Sequence, residues 1–258
     1  YYATDDWTNH AMEYVKTVRN DDPKQPFLLY LAYNAMHGPL QAKPQDLSKY
    51  RGRYDAGWDV LRAERLQRQK DLGLIPADTE LSPRDATVPA WADVPPEQQQ
   101  LFVRYMETYA AMLDAVDQNI GRLVAMLDDM GELDNTIIVL SSDNGGTSGG
   151  GPNGVIYFNR HFAGLPTLPV SHDMEHKDLI GTGKVAAMYP MGWAQVSNTP
   201  FSAYKTYTAG GGRRVSLLVS WPKRIHDEGA VRSQFVHVTD VMPTLLELAG
   251  VPHPAISH

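Results

Sequence analysis

Apolar residues recur three or four positions apart along two stretches of the chain. Between Trp7 and Val18 this spacing predicts an amphipathic helix over residues 7–18. A longer stripe of the same kind predicts the strongest helix over residues 97–130, which follows a Pro-Pro pair and ends at Gly131. A third helix is expected over residues 57–72, where charged side chains predominate and only a few leucines lie beneath them.

Short continuous apolar runs alternate with these helices. FLLYLAY (residues 27–33), TIIVL (136–140) and residues 215–221 each have the length and apolar character of a buried strand. A last helix is expected over residues 240–249, with Pro243 in its first turn and a glycine after its end. Helices that alternate with short apolar strands predict an α/β domain with a mainly parallel sheet.

Two segments do not follow this alternation. Residues 51–96 are predicted to form a surface excursion, because a charged helix is followed there by a long proline-containing loop. Residues 145–192 are rich in glycine and are expected to be irregular. The arginines of the excursion are interpreted as a solvated face; they are Arg51, Arg53, Arg62, Arg65 and Arg68.

Composition excludes several classes of function. Among 258 residues, 23 Lys and Arg face 30 Asp and Glu, which gives a formal net charge of −7. Such an acidic balance disfavours broad binding of a nucleic-acid backbone. The absence of cysteine excludes disulfides, zinc-thiolate sites and a cysteine nucleophile within these residues. No apolar run approaches the ~20 residues of a membrane helix.

Asp143 and Asn144 follow the predicted strand TIIVL directly. Ligands of parallel α/β sheets bind beyond the carboxyl ends of the strands. A carboxylate beside an amide oxygen suits a hard cation such as Ca²⁺ or Mg²⁺. A tight turn, which Asp-Asn and Asn-Gly also favour, is the alternative. Two ligands do not complete a Ca²⁺ shell, so others are expected from elsewhere.

Two basic residues lie in comparable positions. His37 follows the strand at residues 27–33, where an imidazole can donate to an oxyanion or protonate a leaving group. Lys205 precedes a triple glycine, where a lysine can place a point charge on a sulfate or phosphate and glycine lets backbone approach a ligand. The alternatives are a surface or packing histidine and a solvated loop lysine. His172 and His176, four apart, are a further but weaker candidate pair for a transition metal.

Four blocks, in this order, resemble the sulfatase family: FLLYLAYNAMHGPLQA (27–42), GELDNTIIVLSSDNGG (131–146), YKTYTAGGGRRV (204–215) and VTDVMPTLLELAG (238–250). RGRYDAGWDVLR (51–62) further resembles bacterial arylsulfatases of the type I kind. The four blocks together span nearly the whole chain.

The resemblance implies an alkaline-phosphatase-like α/β/α sandwich that cleaves a sulfate monoester. It implies a Ca²⁺ ion, favoured over Mg²⁺, with Asp143 and Asn144 as ligands. His37 and Lys205 would contact the sulfate and stabilise or protonate the leaving oxygen. The family's nucleophile is a formylglycine made in a C/S-x-P-x-R motif, and the expected substrate is a small sulfate ester.

The sequence departs from the family pattern at several positions. The motif C-x-P-x-R is absent, and Met36, Gly210 and Ser216 replace residues usual in the family. The pattern S-x-P-x-R occurs at SWPKR (220–224), at the end of the third predicted strand and not in the N-terminal position of the family's motif. We therefore expect residues 1–258 to be part of a single sulfatase domain. The N-terminal strands with the formylglycine motif and the C-terminal subdomain would lie outside it, and the chain alone would be inactive.

Two other functions stay open at this point. One is a phosphonate or phosphate ester hydrolase of the same superfamily, and the other is a non-catalytic, sulfatase-like binding module. Neither nucleic acid nor a membrane segment is expected. The sequence leaves the natural substrate, the cellular compartment and the oligomeric state undetermined.

Overall fold

The long apolar stripe forms the helix around which most of the chain packs. This helix, α4, runs from Pro96 to Asp129 and confirms the prediction for residues 97–130. Leu101, Tyr105 and Ala111 lie on its buried face and are fully inaccessible. Between Leu101 and Met112 the helix is buried on almost all sides, whereas towards its C-terminus mainly the residues of the apolar stripe, spaced three or four apart, face the core.

The computed structural model describes residues 1–252, which fall into two units with their boundary before Asp227. No helix among these residues is long and apolar enough to cross a membrane. The first unit contains helices α1 (Ala3–Asp21), α2 (Pro44–Ser48), α3 (Gly57–Asp71), α4, α5 (Asn159–Phe162), α6 (Val170–Glu175), α7 (Met191–Ser197) and α8 (Gly210–Arg213), and strands β1 (Ile138–Ser141) and β2 (Leu217–Ser220). Short 3-10 helices span Trp91–Asp93, Leu133–Asn135 and Lys177–Leu179.

Four aromatic side chains join α3 and α7 to α4. Trp58 of α3 contacts Trp91, Trp193 and Phe102 with ring centroids 4.6–5.8 Å apart. The indole nitrogens also have partners, since Trp193 Nε1 donates to the Phe102 carbonyl at 2.7 Å and Trp58 Nε1 donates to the Pro89 carbonyl at 3.1 Å. The segment predicted as a surface excursion therefore has one face anchored in the core.

The arginines of this segment differ in exposure, depending on whether they lie on the face that contacts the core. Arg51, Arg53, Arg65 and Arg68 are exposed, as predicted. Arg62 is 5% exposed, and its Nη2 donates to Ser82 Oγ at 2.7 Å, so the solvated interpretation is wrong for this residue. It lies one helical turn beyond Trp58 and shares its buried side. Burial lowers the pKa of the Arg62 guanidinium.

A buried carboxylate ties α2 to α4. Asp46 accepts hydrogen bonds from Lys49 Nζ at 3.0 Å and from Gln118 Nε2 at 2.9 Å. Burial by itself raises the pKa of Asp46, but the hydrogen bonds from Gln118 and Lys49 outweigh it and hold the pKa below its usual value. Because the unfolded carboxyl titrates at about pH 4, this contribution to stability is present above that pH and is lost as the pH falls through the folded pKa.

The two strands lie where the apolar runs predict them, but they pair antiparallel. Ile138 is opposite Ser220, and Ser141 is opposite Leu217. Within the described residues this pair is the whole regular sheet. Two of the three isolated bridges elsewhere are parallel, so parallel contacts occur as single bridges and not as ladders.

The prediction of a strand at residues 27–33 is wrong, because this segment forms no regular strand. Its alternate residues are exposed as in a strand, with Leu28 78% and Tyr30 90% exposed, while Phe27 and Leu29 pack beside α1 and α4. However, none of its backbone groups forms a hydrogen bond with other backbone groups within residues 1–252. A strand requires a hydrogen-bonded neighbour, which the apolar run does not specify.

Within residues 227–252 the second unit contains one helix. Helix α9 spans Val238–Leu248 and confirms the helix predicted at residues 240–249. His237 and Asp240 form a capping box, in which the His237 N–H donates to Asp240 Oδ2 at 2.7 Å and the Thr239 N–H donates to His237 Nδ1 at 3.4 Å. This cap places the start of the helix two residues before the predicted one.

The aromatic cluster predicts a large effect of Trp58→Ala on stability. Removing a fully packed indole leaves a cavity between Trp91, Trp193 and Phe102 that the rigid rings do not fill. We expect the free energy of unfolding to fall by about 3–5 kcal/mol. The matched control is Val60→Ala on the same helix, where the side chain is 47% exposed and the change should be within about 0.5 kcal/mol. Urea unfolding monitored by circular dichroism measures both, and equal losses would contradict the packing role.

Candidate active site

The loop after β1 carries two oxygen-bearing side chains. Asp143 is exposed and Asn144 is half-buried. Asn144 Nδ2 donates to the Gly145 carbonyl at 2.9 Å, which leaves Oδ1 free to coordinate, and the Ser142 hydroxyl donates to the Asn144 carbonyl at 2.9 Å. Within the described part of the chain, the Asp143 carboxylate has neither a hydrogen bond nor an ion pair. Both side chains thus have an oxygen available to a cation.

Lys205 lies in a second loop that is bonded to the first through its backbone. Its N–H donates to the Gly146 carbonyl at 2.9 Å, two residues beyond Asn144. The neighbouring residues Ala203 and Thr206 have φ of 67° and 79°, a left-handed conformation that costs a residue with a side chain about 1 kcal/mol or more. Backbone held against this cost indicates that the surrounding contacts determine the loop. Lys205 is half-buried, and its ammonium has no partner among residues 1–252.

The triple glycine brings these two loops together by backbone contact. The Gly145 N–H donates to the Gly212 carbonyl at 3.1 Å, and a Cβ on Gly145 would overlap the carbonyl oxygen of Gly211. A Cβ on Gly211 would in turn overlap the carbonyl oxygen of Ala203. The close approach predicted for a ligand is therefore made here by the chain itself.

Asn198 joins the two loops through its side chain and was not singled out by the sequence analysis. Its Oδ1 accepts from the Gly146 N–H at 2.6 Å, and its Nδ2 donates to the carbonyls of Ala203 and Gly146 at 3.0 and 3.3 Å. It is 6% exposed and caps the end of α7. Its only signal in the sequence is an asparagine directly before Thr199-Pro200.

His37 is connected to the same region by packing contacts and not by hydrogen bonds between the loops. Gly38 lies against Met188, and Met188 also lies beside Gly149 of the loop that follows β1. The imidazole is exposed, and its Nδ1 is 2.8 Å from the Gly38 carbonyl. A carbonyl only accepts, so Nδ1 carries a proton and Nε2 is the atom free to act on a ligand.

Of the four predicted site residues, the structure therefore links Asp143, Asn144 and Lys205 through adjoining loops. It connects His37 to them only through packed backbone and Met188. That all four side chains face one cleft stays a prediction.

The residues present fit part of a Ca²⁺ site. Asp143 and Asn144 offer a carboxylate and an amide oxygen of the hard kind that Ca²⁺ prefers, whereas Ca²⁺ takes six to eight such ligands. No cluster of three or more His, Cys, Asp or Glu side chains lies close enough among residues 1–252 to bind a metal by itself. Such a cluster within residues 1–252 therefore does not supply the further oxygen ligands that a complete Ca²⁺ shell requires.

The histidine pair at the C-terminal end of α6 has a different environment. The rings of His172 and His176 stack with centroids 4.3 Å apart, and His176 Nδ1 lies 2.8 Å from the His172 carbonyl. His172 Nδ1 is 3.4 Å from the carboxylate of Asp173. Local hydrogen bonds thus engage one nitrogen of each ring, and no third ligand joins them in the described chain.

Comparison with known proteins identifies the family of the chain. The family model described as Sulfatase matches residues 1–251. The chain belongs to the sulfatase family. It is 36% identical over 249 residues to an uncharacterized sulfatase of Schizosaccharomyces pombe, covering 95% of this chain and 43% of that one. It is 31% identical over 252 residues to an arylsulfatase of Klebsiella aerogenes, covering 97% and 51% respectively.

A solved structure extends the comparison to the fold. The structure of Ps i-CgsB in complex with k-i-k-neocarrahexaose matches with a TM-score of 0.53 at 26% identity, over 98% of this chain and 35% of that chain. The predicted alkaline-phosphatase-like α/β fold is thereby confirmed. The chain spans about half the length of these two relatives.

The contact between the two loops predicts that Gly145→Ala is harmful. A methyl group there overlaps a backbone carbonyl, which cannot rotate away as a side chain does. We expect the free energy of unfolding to fall by about 1–3 kcal/mol. Gly121→Ala is the control, because that helical glycine has open space around it and should gain up to about 1 kcal/mol. Denaturant unfolding measures both variants; a neutral Gly145→Ala would contradict the observed loop packing.

Proposed function

We propose that this sulfatase chain provides the leaving-group side and part of the metal site of a sulfuric ester hydrolase of the arylsulfatase type. One observation carries the proposal. In a chain of the sulfatase family, a carboxylate and an ammonium without partners in residues 1–252 lie on two loops that are hydrogen-bonded to each other. Opposite charges that lack a protein partner remain available to a cation and to an anionic ester.

Asp143 and Asn144 are proposed to bind Ca²⁺. The ion would neutralise charge on the sulfuryl oxygens when bound. The chain's own contribution is the orientation of the two oxygens. The Asn144 amide is held through Nδ2 by the Gly145 carbonyl, so its oxygen is directed away from that carbonyl. Ca²⁺ is preferred to Mg²⁺ because it tolerates the irregular geometry of loop ligands, whereas Mg²⁺ demands a near-ideal octahedron.

Lys205 and His37 are proposed to act on the ester itself. The Lys205 ammonium would place a positive charge beside the ester oxygens, and this interaction strengthens as negative charge develops on the leaving oxygen. His37 would donate a proton from Nε2 to that oxygen. Since Nδ1 is already protonated against the Gly38 carbonyl, only the imidazolium form carries this second proton.

The overall reaction adds water to the ester. The bond between sulfur and the ester oxygen breaks, the ester oxygen leaves with a proton as a phenol or alcohol, and sulfate retains an oxygen derived from water. The nucleophile is proposed to be a formylglycine that lies outside residues 1–258.

The substrate is proposed to be a small sulfate monoester. An aryl ester is favoured by the likeness to the Klebsiella arylsulfatase, which extends over 97% of this chain. The complex of the similar Ps i-CgsB contains the oligosaccharide k-i-k-neocarrahexaose, so a sugar sulfate is the comparison substrate to assay beside it. An aryl phosphate belongs in the same assay, since faster hydrolysis of the phosphate would contradict the proposal.

Asp143→Ala tests the metal role, in a protein that contains both these residues and the nucleophile. Removing the carboxylate should weaken Ca²⁺ binding and lower aryl-sulfate turnover together, by about a hundredfold or more in turnover. Calcium titration calorimetry and a nitrophenyl sulfate assay measure the two effects.

Asp78→Ala is the control for charge, because Asp78 is also an exposed loop carboxylate. It should leave both quantities unchanged. Unaltered calcium dependence and turnover in Asp143→Ala would exclude Asp143 as a metal ligand.

The chain by itself is predicted to have no sulfatase activity and to bind Ca²⁺ poorly. It supplies two metal-binding side chains and no cysteine from which a formylglycine forms. Its S-x-P-x-R sequence (220–224) begins at Ser220, which pairs with Ile138 at the end of the two strands away from Asp143. The test is to express residues 1–258, add calcium and assay nitrophenyl sulfate beside the Klebsiella arylsulfatase. Turnover within about tenfold of that enzyme, a barrier difference under ~1.4 kcal/mol, would show that the nucleophile lies within this chain.

A further inference from the structure

Asn198 lies at the junction between the two loops of the proposed site. Its carboxamide bonds to Gly146, two residues after Asn144, and to Ala203, two residues before Lys205. The Gly146 carbonyl receives both Asn198 Nδ2 and the Lys205 N–H, at 3.3 and 2.9 Å. A single side chain thus connects the backbone on either side of the proposed metal ligands and the proposed sulfate-binding lysine.

The backbone of Asn198 is fixed to the core through α7. Its N–H donates to the Ala194 carbonyl of α7 at 3.0 Å, and the neighbouring Trp193 donates from Nε1 to the Phe102 carbonyl of α4. Helix α7 also packs against Trp58 of α3. The carboxamide therefore extends from a rigid support, whereas the loops at 142–146 and 202–209 have no regular structure of their own.

We propose that Asn198 is a positioning residue that sets the distance between the Asp143–Asn144 loop and Lys205. It touches none of the proposed reacting groups. The three backbone groups around its amide use both N–H donors and one of the two lone pairs of Oδ1. Asparagine fits this role because both a donor and an acceptor are required at the same planar end. The inference rests on the proposed function for its catalytic consequence, but not for its structural one.

The structural consequence is measurable without activity. In Asn198→Ala, the backbone amide hydrogens of Gly146 and Lys205 should exchange with solvent at least about tenfold faster, as measured by NMR. The local opening that precedes exchange would then cost less free energy, because it would not have to break the hydrogen bonds of Asn198. Asn119→Ala is the matched control, since Asn119 is a buried asparagine of α4 whose Nδ2 donates to Asp5 and to the Ala115 carbonyl. Unchanged exchange at Gly146 and Lys205 in Asn198→Ala, or equal acceleration in both variants, would overturn the inference whatever the activity.

The catalytic consequence is a loss in kcat. In a protein containing the nucleophile, Asn198→Ala should lower kcat about tenfold to a hundredfold with a smaller change in KM, because a displaced lysine loses more in the transition state than in binding. Asn119→Ala should change neither. If the parent protein hydrolyses no sulfate ester, the proposed function fails and the exchange experiment still decides the role of Asn198. Faster exchange with unaltered kcat would overturn the catalytic part of the inference.

Asn198→Asp provides a readout that general destabilisation would not give. An ionised carboxylate accepts from the Gly146 N–H but repels the carbonyls of Ala203 and Gly146. A protonated carboxyl restores one donor and has the shape of the amide. The kcat of this variant relative to the parent should therefore recover as the pH falls, while that of Asn198→Ala should not. The same pH profile for both variants would contradict hydrogen bonding as the basis of the effect.

Discussion

Contact between bare backbone segments holds the candidate site together. The carbonyl oxygen of Gly211 occupies the space that a side chain at position 145 would require, and the Gly145 N–H bonds to the next carbonyl of the same turn. This approach places the loop after β1 directly against the loop that carries Lys205. The bond from Lys205 to Gly146 and the fit of Asn198 both require that the two loops be this close.

The support for this contact lies in the aromatic core. Trp58, Trp193 and Phe102 join α3, α7 and α4, and α7 ends at the asparagine that binds both loops. Ordered helices thereby fix backbone segments that have no hydrogen-bonded ladder of their own. Within residues 1–252 the Lys205 ammonium and the Asp143 carboxylate have no ion-pair partner, which is what the proposed site for an anionic ester requires.

The pattern of apolar residues predicted the elements whose stability is local or whose buried face is continuous. Helices α1, α3, α4 and α9 and the positions of both strands follow from spacing, proline and glycine. The family blocks also placed Asp143, Asn144 and Lys205 on loops, where the structure has them. Spacing did not predict which runs would pair: residues 27–33 alternate in exposure like a strand but form no ladder within the described chain.

The sequence by itself determined the helices, the sulfatase family and the residue types available for catalysis, because these depend on periodicity and on short motifs that each lie within one segment. Tertiary structure alone decided that β1 and β2 run antiparallel, that Arg62 is buried, and that the triple glycine receives backbone instead of a ligand. It also decided the role of Asn198, whose partners are up to 52 residues away. The physical reason is that hydrogen bonds and steric contacts between distant segments depend on where the chain returns, which no local pattern encodes.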